Sequence, residues 1–255
     1  MFLLQLTEPS PLFCSMEAQR TLKKHMMRSL NTPSSPRIIS CRQIPHGDLM
    51  DVEQLYEQHR EKLDIFSRLL SSANKRVNLM SREEISHISS HILDSLLLAE
   101  EIHDMNSIID LGSGGGFPLI PLAIVCPDIS FTGIDSAQRK TDFLEMCKVK
   151  LSLSNVQILH SSIEESAHLH AQFDGVTARA LAPLHSLLSL ATPFLKNNTS
   201  SRLIFLKGTH WKSEVAAASG IMTELGVQHN STVEFSNIPG REHSAVLTFS
   251  PKSYS

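Results

Sequence analysis

The sequence predicts an α/β protein in which a mostly parallel sheet is covered by helices on both faces. Three observations carry this expectation. From Asn106 onward, apolar segments of strand length alternate with segments of helical period. The first of those strands runs straight into a glycine-dense turn, and the last two strands are separated by a loop too short for a crossover helix. With 255 residues, 41% of them hydrophobic and 19% charged, the chain can bury one large core.

The elements follow in order. Residues 1–47 carry Pro9, Pro11, Pro33, Pro36 and Pro45, which interrupt every short apolar run, so this stretch is expected to be a disordered extension. Its charges lean basic through Arg20, Lys23, Lys24, Arg28, Arg37 and Arg42, as in a transit peptide or an RNA-touching arm; the simpler reading, preferred here, is a working start at Met50. From Asp48, apolar residues recur three and four apart (Val52, Leu55, Tyr56, Leu63, Phe66, Leu70), which predicts an amphipathic helix. A second helix is predicted from Arg82 to Ile102, opened by Ser81 with Glu84 in capping-box spacing. Together they make an N-terminal helical region over 48–106. A sheet domain over 107–251 follows, with strands expected at Ser107 to Leu111, Ser130 to Ile134, Val156 to His160, Gly175 to Thr177 and Arg202 to Leu206. Helices are expected at Phe117 to Val125, Ala137 to Leu151, Leu184 to Leu195 and Trp211 to Leu225. Ser231 to Phe235 and Ala245 to Phe249, with Pro239 and Gly240 in the loop between them, should pair as a hairpin and complete a seven-stranded Rossmann-like sheet whose last strand is antiparallel.

Composition narrows the function. Lys and Arg number 23 against 26 Asp and Glu, a net charge of -3, so no uniformly basic surface is available to hold nucleic acid; a polynucleotide partner needs a local patch. No run approaches the roughly 20 apolar residues that span a bilayer, and no membrane association is expected. Cys14, Cys41, Cys126 and Cys147 lie far apart with no C-x-x-C pair, which argues against a disulfide framework and a zinc site and fits a reducing cytoplasm.

The most informative segment is Ile108-Ile109-Asp110-Leu111-Gly112-Ser113-Gly114-Gly115-Gly116-Phe117-Pro118. Glycines are needed where the chain turns sharply and a ligand approaches the main chain. The dinucleotide spacing G-x-G-x-x-G fails in both registers, ending on Phe117 or on Leu119. The loop instead spells Asp-x-Gly-x-Gly-x-Gly through Asp110, Gly112, Gly114 and Gly116, similar to the first motif of S-adenosylmethionine-dependent methyltransferases. That cofactor has no pyrophosphate, but its amino-acid end needs close backbone approach and a carboxylate, which Asp110 supplies. Asp135, at the end of the second strand, is placed to accept ribose hydroxyls; this supports adenosine binding without choosing the cofactor, and is compatible with capping the next helix. Ile163 and Glu164, with Glu165, follow the third strand, where methyltransferases place a residue that meets the adenine edge; taken alone, the Glu pair reads as a solvated helix start.

After the fourth strand stands Ala178-Arg179-Ala180-Leu181-Ala182-Pro183, with no Asn/Asp-Pro-Pro-aromatic sequence for an exocyclic amine and no Pro-Cys nucleophile. An acceptor that already owns a lone pair, such as guanine N7, then fits, because it asks for alignment and charge management instead of a general base. Arg179 is a cation at the carboxyl end of an inner strand, read as a site residue over a surface ion pair.

Taken together, Asn74-Lys75-Arg76-Val77-Asn78-Leu79, His91-Ile92-Leu93-Asp94-Ser95, the Asp110 loop running on through Pro121-Leu122-Ala123, Glu164-Glu165, Phe173-Asp174 with Ala178-Arg179-Ala180, and Lys207-Gly208 occur in an order that resembles the bacterial 16S ribosomal RNA guanine-N7 methyltransferases, the small-subunit rRNA methyltransferase G or glucose-inhibited division protein B family. The resemblance runs from Asp48 to about Pro251. It implies a class I S-adenosylmethionine-dependent methyltransferase fold with a catalytic domain over 107–251, and a cytoplasmic, monomeric enzyme acting on 16S rRNA, free or in an assembling small subunit. It implies cofactor contacts at Gly112, Phe117, Ile163, Glu164 and Arg179, with Arg179 and Lys207 as catalytic residues, the latter meeting a phosphate or guanine O6. An exposed Lys207 without such a role is the alternative. His91 and Asp94, three apart on one helical face, suit closing over the site, contact with RNA, or plain helix packing. Leu119 stands where the family usually has Gly, and its side chain is expected to narrow the entrance beside the methionine end. Lys75, Arg76, Arg139, Lys140, Lys148 and Lys150 are candidates for the basic patch, and with 5% aromatic residues, recognition should lean on RNA shape and phosphates. A small-molecule methyltransferase, a nicotinamide-dependent oxidoreductase and a ribosome assembly factor that binds the cofactor without turnover remain open on the residues alone.

Overall fold

The computed structural model describes residues 52–235 and 244–252. The 1–47 extension, the predicted helix onset at Asp48 and the loop with Pro239 and Gly240 lie outside the described residues.

Helix α1 (Val52–Val77) buries Leu55, Leu63, Phe66 and Leu70, the face that the apolar period marks. It ends in a turn closed by Asn74, whose Oδ1 accepts the Met80 N–H at 2.8 Å while its Nδ2 donates to the Met80 carbonyl at 3.0 Å. Asn78 takes the left-handed φ of 49° in that turn, a conformation Asn tolerates better than most residues. The predicted helix from Arg82 to Ile102 is corrected to three: α2 (Arg82–Ile85), α3 (Ile88–Leu96) and α4 (Ala99–Ile102). The Ser81–Glu84 capping box forms as expected. The first break follows because the Ser86 hydroxyl donates back to the Glu83 carbonyl at 2.6 Å and His87 leaves helical geometry.

The sheet follows: β1 (Ser107–Leu111), α5 (Leu119–Val125), β2 (Ser130–Asp135), α6 (Gln138–Leu151), β3 (Val156–His160), β4 (Gly175–Arg179), α7 (Leu184–Ala191), β5 (Arg202–Lys207), α8 (Trp211–Ala217), α9 (Ser219–Glu224), β6 (Val227–Glu234) and β7 (Ala245–Pro251). The strand order is β3-β2-β1-β4-β5-β7-β6. Strands β1 to β5 pair in parallel, and β7 pairs antiparallel with both β5 and β6. The hairpin and the antiparallel last strand are as the sequence predicts.

Boundaries shift for local reasons. Pro193 cannot donate to a helix, so α7 stops at Ala191 and a 3-10 turn (Thr192–Phe194) completes the segment. The predicted Trp211 to Leu225 helix breaks at the fully buried Ala218, whose ψ of 0° leaves the helical well. Strand β6 begins at Val227 instead of Ser231 and carries a register shift between His229 and Ser231, a polar stretch with no alternation to reveal a strand.

Two apolar layers sandwich the sheet. One joins α1, α3, α5 and α6 through residues such as Phe66, Ile92, Ile120 and Leu144; the other joins α7 and the C-terminal half of the sheet through Leu184, Leu188, Phe205 and Phe249. Asn155 donates through its side-chain amide to the carbonyls of Ala123, Cys126 and Ile129, tying the end of α5 to the strands on either side. Cys147 is a buried free thiol, whereas Cys126 is disulfide-bonded, which corrects the expectation from the cysteine spacing that no disulfide forms. Among the described residues no helix is long and apolar enough to cross a membrane.

Candidate active site

Strand order reverses about β1, with β2 on one side and β4 on the other, so the loops leaving their carboxyl ends diverge and open a crevice. A cavity of about 280 Å³ lies there, with Gly112, Asp135, Ile163, Glu164, Arg179 and Leu181 in its wall. Five of the predicted site residues are thereby brought together from four separate loops.

Gly112 leaves β1 with φ +68°, and a Cβ there would stand 2.7 Å from Leu181 Cδ1, so the loop after β4 closes onto the glycine itself. Gly114 does not line the cavity; its N–H donates to Asp135 Oδ2 at 3.0 Å. Gly116 is also set back, its carbonyl accepting the Ile120 N–H at 2.9 Å as α5 begins. The expectation that Leu119 narrows the entrance is corrected. Leu119 is 1% exposed and packs down on β2, where a Cβ on Gly133 would lie 2.4 Å from Leu119 Cδ2. A glycine in the sheet makes room for the leucine in the helix.

The two carboxylates sit in different environments. Asp135 stands in the cavity wall, with Oδ1 accepting the Ala137 N–H at 2.9 Å, Oδ2 accepting from Gly114, and Lys140 Nζ at 3.4 Å. It steadies the start of α6 and still has lone pairs to offer a ligand hydroxyl. Asp110 lies beneath, 1% exposed, with Oδ1 accepting from the Thr177 hydroxyl at 2.8 Å. Its Oδ2 has no hydrogen-bond partner among the described residues. Burial pushes the Asp110 carboxyl up to about 7, Ser113 and Thr177 opposing the shift and the neighbouring Asp135 charge adding to it.

After β3 the acidic pair divides. Glu165 accepts from the Ser162 N–H and hydroxyl at 3.2 and 3.0 Å, while the Glu165 N–H donates to Ser162 Oγ, so this carboxylate caps the following turn. Ile163 and Glu164 face the cavity.

Arg179, at the end of β4, lies against Phe117, its Cζ 5.5 Å from the ring centroid. Its Nη2 stands 2.6 Å from His91 Nδ1, and Asp94 is 3.8 Å from the same nitrogen. His91 and Asp94 are 3% and 1% exposed; they face inward, so of the three alternatives contact with RNA falls away, and closing over the site and helix packing stay. Phe117 is a platform beneath Arg179, stacked edge-on with Phe66 and His91. Lys207 is corrected as well. It is neither an exposed lysine nor a cavity group: at 8% exposed, its Nζ donates to the Ala182 carbonyl at 3.0 Å and pairs with Glu214 at 2.7 Å. Glu214 also accepts the Leu184 N–H at 2.7 Å, so the pair anchors the loop that carries Leu181 onto Gly112.

Residues 59–244 match the family described as GidB, rRNA small subunit methyltransferase G. The chain belongs to that family. Among its relatives, the ribosomal RNA small subunit methyltransferase G of Pseudomonas putida is 34% identical over 224 residues, covering 87% of this chain and 98% of the relative. That of Helicobacter bizzozeronii is 35% identical over 159 residues, covering 62% and 88%. Solved structures share the fold: a ribosomal protein L11 methylase from Lactobacillus delbrueckii subsp. bulgaricus superposes with a TM-score of 0.51 at 18% identity, covering 64% of this chain and 79% of that one. The S-adenosylmethionine-dependent methyltransferase SibL does so with 0.52 at 15% identity, covering 66% and 57%. The chain thus has a class I methyltransferase fold.

The residues present suit S-adenosylmethionine. A carboxylate for hydroxyls (Asp135), apolar surface for a base (Ile134, Ile163) and a glycine main chain with no side chain in the way (Gly112) face one cavity. Sequence reasoning missed Thr177, Gly133 and Glu214. Only Thr177 left a trace, as a polar residue two before Arg179 in an apolar strand and hence on its face.

Proposed function

We propose that the protein transfers a methyl group from S-adenosylmethionine to N7 of a guanine in 16S rRNA, free or in an assembling small subunit, as a cytoplasmic monomer. The region 107–251 serves as the catalytic domain and 48–106 as its helical brace. The observation that carries the reading is the cavity itself, where Gly112, Asp135, Ile163, Glu164 and Arg179 converge in a chain of this family.

When bound, the cofactor supplies an electrophilic methyl group. Asp135 would hold the ribose hydroxyls, Ile163 and Glu164 the base, and the Gly112 main chain the amino-acid end. Guanine N7 bears no proton, so no side chain has to remove one before attack. What the protein must supply is alignment and a managed field, and Arg179 provides a permanent cation in the cavity wall. Lys207 acts at one remove, as a positioning residue for the loop of Ala180 to Pro183. Among the described residues no cluster of His, Cys, Asp and Glu could hold a metal ion.

The test is incubation with methyl-labelled cofactor and small-subunit rRNA from a strain lacking the modification, followed by mapping of N7-methylguanine by strand cleavage. Label at one guanine is expected. Label in a small metabolite alone would refute the RNA substrate, and binding without any transfer would leave an assembly factor.

A further inference from the structure

We propose that His91 is a positioning residue: its neutral imidazole offers the Nδ1 lone pair to the Arg179 guanidinium and fixes that cation over the Phe117 ring. The N-terminal helices thereby set the geometry of the site. The proposal rests on the reading of Arg179 as a working residue of the cavity.

A guanidinium is donor-only and permanently charged, so an atom 2.6 Å from its Nη2 must accept. Nδ1 is then bare and the ring proton sits on Nε2. The two side chains are 88 residues apart in sequence, so the contact exists only because the fold brings α3 to the carboxyl end of β4. Phe117 braces both partners, with the His91 ring at 5.6 Å and 60° to it and Arg179 Cζ at 5.5 Å.

The charged groups around the imidazole are Asp94 on its own helix, Glu84 on α2 and Arg179 on β4. Burial works against ionisation of Glu84, yet the Ser81 hydrogen bonds and the nearby Arg179 charge outweigh it and hold its carboxyl low. Charge attraction from Glu84 holds Arg179 nearby, and the His91 lone pair adds direction to it. A long arginine on a strand end otherwise samples many rotamers.

Two variants separate aiming from packing. His91→Phe keeps a ring against Phe117 and removes the lone pair, whereas His91→Asn keeps an acceptor near the Nδ1 position and removes the ring. With labelled transfer and cofactor titration as readouts, His91→Phe should lose about tenfold or more in affinity or turnover, and His91→Asn should recover most of that loss. His91→Phe should add little on top of Arg179→Ala. The reverse order, with His91→Phe near wild type and His91→Asn impaired, makes His91 a packing residue and overturns the proposal. If Arg179→Ala is impaired while His91→Phe is silent, the proposal alone falls; if Arg179→Ala is itself silent, the role of Arg179 falls with it. Should His91→Phe fail to fold, imidazole ¹⁵N spectra of the wild-type chain decide: a bare Nδ1 in assay buffer supports the proposal, and a protonated Nδ1 overturns it.

Discussion

Asp110 shows how a single buried side chain can couple the site to pH. In the unfolded chain its carboxyl ionises near 3.8, and in the fold near about 7, because burial penalises the charge. Between those values the native state keeps a proton that the unfolded state has released. Stability is therefore full below about pH 4 and is lost as pH rises through about 7, by on the order of 4 kcal/mol in all. Asp110→Asn retains an oxygen for the Thr177 hydroxyl and removes the titration. Thermal midpoints of the wild type should fall more steeply than those of the variant between about pH 4 and about pH 7; parallel curves would contradict the assignment. Arg179 carries the second prediction at this scale. Arg179→Ala should weaken cofactor binding and turnover by about tenfold or more, since the side chain stands in the cavity wall. Unchanged binding and turnover would return Arg179 to the surface.

Between elements, small residues decide what fits. Gly133 in β2 exists to receive Leu119 from α5, and a Cβ there would also come within 2.8 Å of Ser113 Oγ. Gly133→Ala should destabilise by about 1–3 kcal/mol, read as a drop in midpoint. Combined with Leu119→Ala, the loss should be less than the sum of the single losses, because the clash disappears with the leucine; strict additivity would show that the two residues do not share the space. This pairing also marks the limit of what the sequence reveals. The strands, the Asp110 to Gly116 turn and the Ser81 cap could be read because period, glycine spacing and capping are local. The partners of Leu119, Arg179 and Lys207 could not, since Gly133, His91 and Glu214 come from remote segments and no local signal links them. Lys207 shows the consequence: a cation at a strand's carboxyl end looked like a ligand group, and only the fold reveals that Glu214 and the Ala182 carbonyl already hold it.

For the molecule as a whole, ligand binding and folding share one free energy. A cofactor that binds only the folded chain adds about 2.7 kcal/mol at a hundredfold excess over its Kd, worth roughly 5 °C or more in midpoint for a chain of this size. S-adenosylmethionine should give that shift and NAD none; the opposite result would place the protein among nicotinamide enzymes. The position of β7 governs something else. It lies between β5 and β6 although it is the last of the three to be made. On the ribosome, β5 must wait with a bare hydrogen-bonding edge, and β6 waits without any neighbour, until residues 245–251 emerge and slide in from the far side. A nascent chain halted before that point offers a hydrophobic seam to other chains, so the final strand works as the closing latch against aggregation during synthesis.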